Sequence, residues 1–127
     1  MIYVYLAAGG VLGTLARYGL SKWIPTHLGM DFPWHTFIIN LSGSLILGFA
    51  MRASETVALS PETRGFVTVG FCGAFTTFST FTWETAVLMQ NGQWGRAAAY
   101  ALGSVAAGLL CVFIGISLAG AVFRARG

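Results

Sequence analysis

The sequence predicts an all-α membrane protein with four transmembrane helices, the third broken near its middle. Three observations carry this reading. The 127-residue chain is 56% hydrophobic and only 9% charged, whereas a soluble domain holds about 25% charged residues to keep its surface wet. The few charges leave four long uncharged runs: Ile2–Ala16, Phe32–Met51, Gly65–Trp83 and Ala97–Phe123, of 15, 20, 19 and 27 residues. Finally, the third run contains Gly70-Phe-Cys-Gly-Ala-Phe-Thr-Thr-Phe-Ser-Thr-Phe-Thr82. Its glycines and β-branched threonines are poor helix formers and point to a break near Gly73–Thr76.

A helix needs about 20 mainly apolar residues to cross a hydrocarbon core roughly 30 Å thick. The first span therefore extends past Arg17 to about residue 23, with Tyr18 and Trp23 in the interfacial aromatic belt. The spans are expected at about 2–23, 33–52, 63–90 and 95–123, forming one domain. Between the first two, Pro25 to Pro33 reads as a loop, and His27 and His35 are read as interfacial loop residues. Ser60-Pro61-Glu62 reads as an N-cap, a first-turn proline and a first-turn acid opening the third span. Gln90-Asn-Gly-Gln93 reads as a tight polar turn before the fourth. Residues 1–6 carry no positive charge, and no signal peptide is expected.

This composition sets aside soluble enzymes and nucleic-acid binders, even at a net charge of +3. A basic balance in so hydrophobic a chain concerns membrane topology first. Cys72 and Cys111 lie inside apolar runs and read as structural, small hydrophobic residues. Neither histidine has a neighbouring cysteine or a paired carboxylate in sequence, so neither reads as a catalyst or zinc ligand.

With four spans, Arg52, Arg64, Arg124 and Arg126 fall on one side of the membrane and Arg17, Lys22 and Arg96 on the other. Four against three gives almost no orientation preference. Either the insertion machinery compensates for weak topology information, or the chain inserts both ways and pairs antiparallel with a second copy. The small size favours the second reading, since one copy cannot enclose a site alone. Close helix packing is expected at Gly9 and Gly13, at Ser44 and Gly48, and along Ala99, Gly103 and Ala107.

Polar residues within spans are expensive unless partnered or wetted. Thr36, Asn40 and Ser44 share one helix face, as do Tyr100, Ser104 and Gly108, while Thr77, Thr80 and Glu84 share another. Singly, each hydroxyl could bond its own helix, and Asn40 could join two helices. Together, three stripes favour a water-lined or ion-lined path. The phenylalanines between the hydroxyls suit lipid or core, but their positive ring edges could also face a dehydrated anion.

The string from Gly70 to Glu84 closely resembles the third-helix signature of the Fluc (CrcB-type) fluoride channels. Ala16-Arg17-Tyr18, Phe37-Ile-Ile-Asn40-Leu-Ser-Gly43 and Ala99-Tyr100-Ala-Leu-Gly-Ser104 extend the resemblance over nearly the whole chain. It implies a fluoride-selective channel in the bacterial inner (plasma) membrane, built as an antiparallel dual-topology homodimer with two pores at the subunit interface. Phe78 and Phe81 would line the pore with their ring edges, and Asn40 would meet the anion in the vestibule. Ser79, Thr80, Tyr100 and Ser104 would form a polar track. Backbone carbonyls of Gly73 and Thr76 would hold a structural sodium ion, Arg17 would concentrate anions, and Glu84 would anchor the polar residues.

Two other classes compete. A small four-span multidrug-type exporter would need a carboxylate within the first span, and Ile2–Ala16 contains none. A fluoride/proton exchanger would need a titrating acid in its path, for which Glu84 alone is available.

Overall fold

The computed structural model describes residues 1–124, and all regular structure among them is helical. Arg126, counted above with the terminal cations, lies outside the described residues.

Helix α1 spans Ile2–Leu28 and α2 spans Trp34–Thr56. The expected loop from Pro25 is shorter than the prolines suggested, because α1 runs through Pro25. A proline inside a helix removes a donor and usually ends it. Here the last turn is held by other means. The Trp23 carbonyl accepts from Thr26 Oγ1 at 2.6 Å and lies 2.9 Å from His27 Nδ1. Gly29 closes the end at φ +82°, donating to the Pro25 carbonyl, and Ile24 is buried beneath. Both histidines consequently sit on helices, not in a loop. His27 stacks near Trp23, with ring centroids 4.2 Å apart, and His35 occupies the first turn of α2.

Ser60 caps α3, Pro61–Gly65, accepting from the Thr63 amide, with Pro61 at the first helical position. A π-helix, Phe66–Cys72, and a short α4, Gly73–Phe75, follow directly. Thr76 and Thr77 are extended, at φ/ψ −79°/158° and −148°/113°, and α5 resumes over Phe78–Gln90. The break thus falls at the end of the expected window, and Gly73 is itself helical. Gly92, at φ +73°, makes the polar turn into α6, Trp94–Arg124.

Glycine sets how close the helices come. A Cβ at Gly9 or Gly13 would meet the backbone of Phe66 and Phe71 in the π segment. That segment's wider turn brings its peptide groups against α1, and reciprocally a Cβ at Gly70 would lie 2.8 Å from the Leu6 carbonyl. α2 and α6 pack through Gly48 against Val112 and Gly115 against Leu45 and Phe49. Of the expected Ala99–Gly103–Ala107 stripe, Ala99 is exposed and a Cβ at Gly103 would meet nothing within 4 Å. The face that packs runs instead through Ala97, Tyr100, Gly115 and Ala119. α2 and α6 are each long and apolar enough to cross a membrane. Leu102, Leu109 and Phe113 of α6 remain exposed on this single chain.

Candidate functional site

The helix break is held open by one side chain. Asn40 Nδ2 donates to the Thr77 carbonyl at 3.1 Å, and the Thr77 amide donates to Asn40 Oδ1 at 2.8 Å. In an uninterrupted helix the Thr77 amide would bond the Gly73 carbonyl. The Thr76 carbonyl loses its partner similarly, because the Thr80 amide donates to Thr77 Oγ1 at 3.3 Å, capping α5. Two diverted amides therefore release the carbonyls of Gly73 and Thr76 from the helical ladder. Gly73 is exposed and Thr76 half-buried, along an open groove of about 280 Å³ that Asn40, Ser44 and Phe78 also line.

Released carbonyls in a broken membrane helix are suited to a hard cation such as sodium. Gly73 has no side chain to obstruct approach, and a Cβ there would meet nothing within 4 Å. Among the described residues, no group of three or more His, Cys, Asp or Glu could hold a metal ion. The oxygen atoms that the break frees here are the carbonyls of Gly73 and Thr76.

Beyond the break, Thr77 Oγ1 donates to Thr80 Oγ1 at 2.9 Å and lies 3.4 Å from Ser79 Oγ. Thr77 and Thr80 line a second, more polar cavity of about 420 Å³ with Arg17, Tyr18, His35 and Thr36. Thr77 borders both openings. Asn40 lines the groove and not the Arg17 cavity, and its amide is committed to the Thr77 backbone. Nδ2 retains a second hydrogen for another acceptor.

Glu84 gathers the polar stripes of three helices. Its Oε1 accepts from Thr36 Oγ1 at 2.8 Å and lies 3.0 Å from His35 Nε2, and its Oε2 accepts from Tyr100 OH at 2.7 Å. Donors to both oxygens make the ionised carboxylate tolerable in a half-buried place. Tyr100 is fully buried in this chain, and its hydroxyl donates to Glu84. One turn further along α6, Ser104 Oγ is buried with no hydrogen-bond partner. Phe81 lies 5.1 Å from the Tyr100 ring and 5.8 Å from Phe78. Phe78 is 76% exposed at the rim of the groove.

Eight of the expected residues thus form a connected set: Asn40, Gly73, Thr76, Phe78, Ser79, Thr80, Phe81 and Glu84, with Tyr100 beneath. Arg17 joins them through the shared cavity, and Ser104 stands one turn away from Tyr100. Sequence reasoning missed His35, which looked like a loop residue. The available signal was its place beside Thr36, on a helix whose partner span carries an acid in need of donors.

A family profile described as "CrcB-like protein, Camphor Resistance (CrcB)" matches residues 4–116. The chain belongs to the CrcB-like family. Among its relatives, the fluoride-specific ion channel FluC of one Thermus thermophilus strain is 48% identical, over 94% of both chains. The protein of that name from a second strain of the same species is 46% identical, over 94% of this chain and 96% of its own. The one from Acidobacterium capsulatum is 44% identical, over 91% and 94%. A CrcB-like chain with exposed apolar helices is a membrane protein, and its polar break and Glu84 cluster lie within its apolar helical framework.

Proposed function

We propose that this protein is a fluoride-selective channel, not an enzyme, through which fluoride leaves the cytoplasm passively and which so confers fluoride resistance. Its place would be the bacterial plasma membrane, crossed four times by each chain. The relatives' names support fluoride as the ion. The observation that carries a pore is the exposed Phe78, standing beside the Asn40-held break with Phe81 and the Thr77, Ser79 and Thr80 hydroxyls behind it. Fluoride is small and tightly hydrated, so a pore must offer donors in place of water, yet bind weakly enough to release the ion. Hydroxyls, the spare Asn40 hydrogen and ring edges are neutral donors of that kind.

The active unit in this reading is an antiparallel homodimer with two pores at its interface. A single chain leaves the groove and Phe78 uncovered, and a second copy would cover them. The cations support insertion both ways: Arg52, Arg64, Arg124 and Arg126 stand against Arg17, Lys22 and Arg96 along the sequence. Carbonyls of Gly73 and Thr76 from both copies would hold a structural sodium ion at the centre. When bound, that ion supplies positive charge that lowers the cost of an anion at mid-membrane. Arg17, which lines the cavity with Thr77 and Thr80, would raise the local concentration of anions there.

The test is Phe78→Ile in vesicles. It should abolish fluoride flux while the protein stays folded and dimeric, because an exposed ring contributes little to the single chain's core. Unchanged flux would remove the ring-edge role.

A further inference from the structure

Arg52 and Arg124 line one cavity, of about 510 Å³, at the end of the molecule where α2 and α6 finish together. Each arginine closes an uncharged run: Phe32–Met51 stops at Arg52, and Ala97–Phe123 stops at Arg124. The rings of Phe49 and Phe123, with centroids 6.2 Å apart, pack the two helices against each other up to that limit. In a membrane protein such a limit falls where hydrocarbon gives way to headgroups. The cavity has an apolar side, from Met51 and Ile116, and a polar side to which Ser117 adds a hydroxyl. Ser117, Gly120 and Arg124 share one face of α6. A Cβ at Gly120 would meet nothing within 4 Å, so the floor between hydroxyl and guanidinium is open.

We propose that this cavity binds the phosphate of an anionic phospholipid, held by Arg52 and Arg124 with Ser117 as a further donor. The proposal rests on the chain's being a membrane protein and not on which ion it conducts. The partial negative charge at helix carboxyl ends would account for one arginine on each helix. It does not account for two of them lining one opening beside a hydroxyl. Neither is used up within the chain. Arg52 Nη1 donates to Glu55 Oε2 at 3.0 Å, which leaves the rest of its guanidinium fork for a phosphate. Arg124 makes no ion pair among the described residues. Glu55 lines the cavity too, so two cations against one carboxylate leave a single net positive charge. A lipid fits better than a soluble anion because the site continues into apolar surface. Leu110 and Phe113 are exposed further along the same face of α6, where an acyl chain would lie. Basic pockets between membrane helices at the headgroup level recognise anionic lipids in this way.

The experiment is lipid competition on the full-length protein in a neutral detergent, read by native mass spectrometry. Phosphatidylglycerol and phosphatidylcholine with the same acyl chains are supplied in equal amounts. The native protein should retain phosphatidylglycerol about five-fold in preference, the advantage of one net positive charge facing an anionic headgroup. Replacing both arginines, Arg52→Gln with Arg124→Gln, should bring the ratio to parity or below. Glu55→Gln should raise it above the native value, because it removes the opposing carboxylate and frees Arg52. That gain keeps the proposal testable even where the double variant fails to fold. Lys22→Gln, which removes a cation elsewhere, should keep the native preference. No preference in the native protein, no gain in Glu55→Gln, or an equal loss in Lys22→Gln would overturn the site. Inorganic phosphate should displace bound phosphatidylglycerol no better than chloride at matched ionic strength. Specific displacement would make the occupant a soluble anion and overturn the lipid assignment. None of these readouts involves fluoride flux, so loss of the channel reading would leave the lipid site standing, and the reverse.

Discussion

The side-chain amide of Asn40 pairs with both backbone groups of Thr77, donating to its carbonyl at 3.1 Å and accepting from its amide at 2.8 Å. An asparagine carries the same donor and acceptor as a peptide group, so it can replace the helical partner that each group of Thr77 has lost. The exchange fixes the break at one residue and frees the Gly73 carbonyl. Thr77 then uses its own hydroxyl to cap the next helix. Two side chains thereby convert a continuous rod into two ends that meet at a polar centre.

Asn40→Ala should leave the buried Thr77 amide and carbonyl without partners. An unsatisfied buried group costs about 1–3 kcal/mol, so the melting temperature of the purified protein should fall distinctly. Fluoride flux should fall with it. A variant as stable as the native protein would show that the break does not depend on Asn40.

The glycines separate into two kinds. A side chain at Gly13 would collide with the Phe71 carbonyl of the π segment and lie 3.0 Å from the Phe75 amide nitrogen of α4, whereas one at Gly73 meets nothing within 4 Å. Gly13→Val should therefore destabilise the chain by roughly 1–3 kcal/mol or more, as overpacking does, read as loss of monodisperse protein. Gly73→Ala should leave the single chain folded but weaken dimerisation and its dependence on sodium, read by sedimentation in sodium and in sodium-free buffer.

Glu84 anchors Thr36, His35 and Tyr100, a structural role that does not require proton exchange. Glu84→Gln should lower stability by about 1–3 kcal/mol through loss of charge-assisted bonds, while voltage-driven fluoride flux persists without linked proton movement. Flux that vanishes unless Glu84 can ionise would favour a fluoride/proton exchanger.

Much of this site was legible in the sequence because membrane chemistry makes polar residues conspicuous. Asn40, Thr80 and Glu84 stood out as costly groups on helix faces, and the Gly/Thr composition placed the break within a few residues. The π-helix of Phe66–Cys72 was not legible. It arises where Gly9 and Gly13 let α1 approach the third span, a tertiary fit that local propensity does not encode. Pro25 misled for a related reason, since side-chain bonds to the Trp23 carbonyl and the burial of Ile24 outweigh the missing donor. Spacing showed that Asn40 shared a polar face, but not that its partner was backbone 37 residues away.

Selective anion flux is the central claim, and liposomes loaded with fluoride and chloride test it most directly. Ion-selective electrodes should record rapid fluoride efflux once a potential is set by valinomycin, with chloride retained. Equal release of both ions, or of neither, would contradict the account.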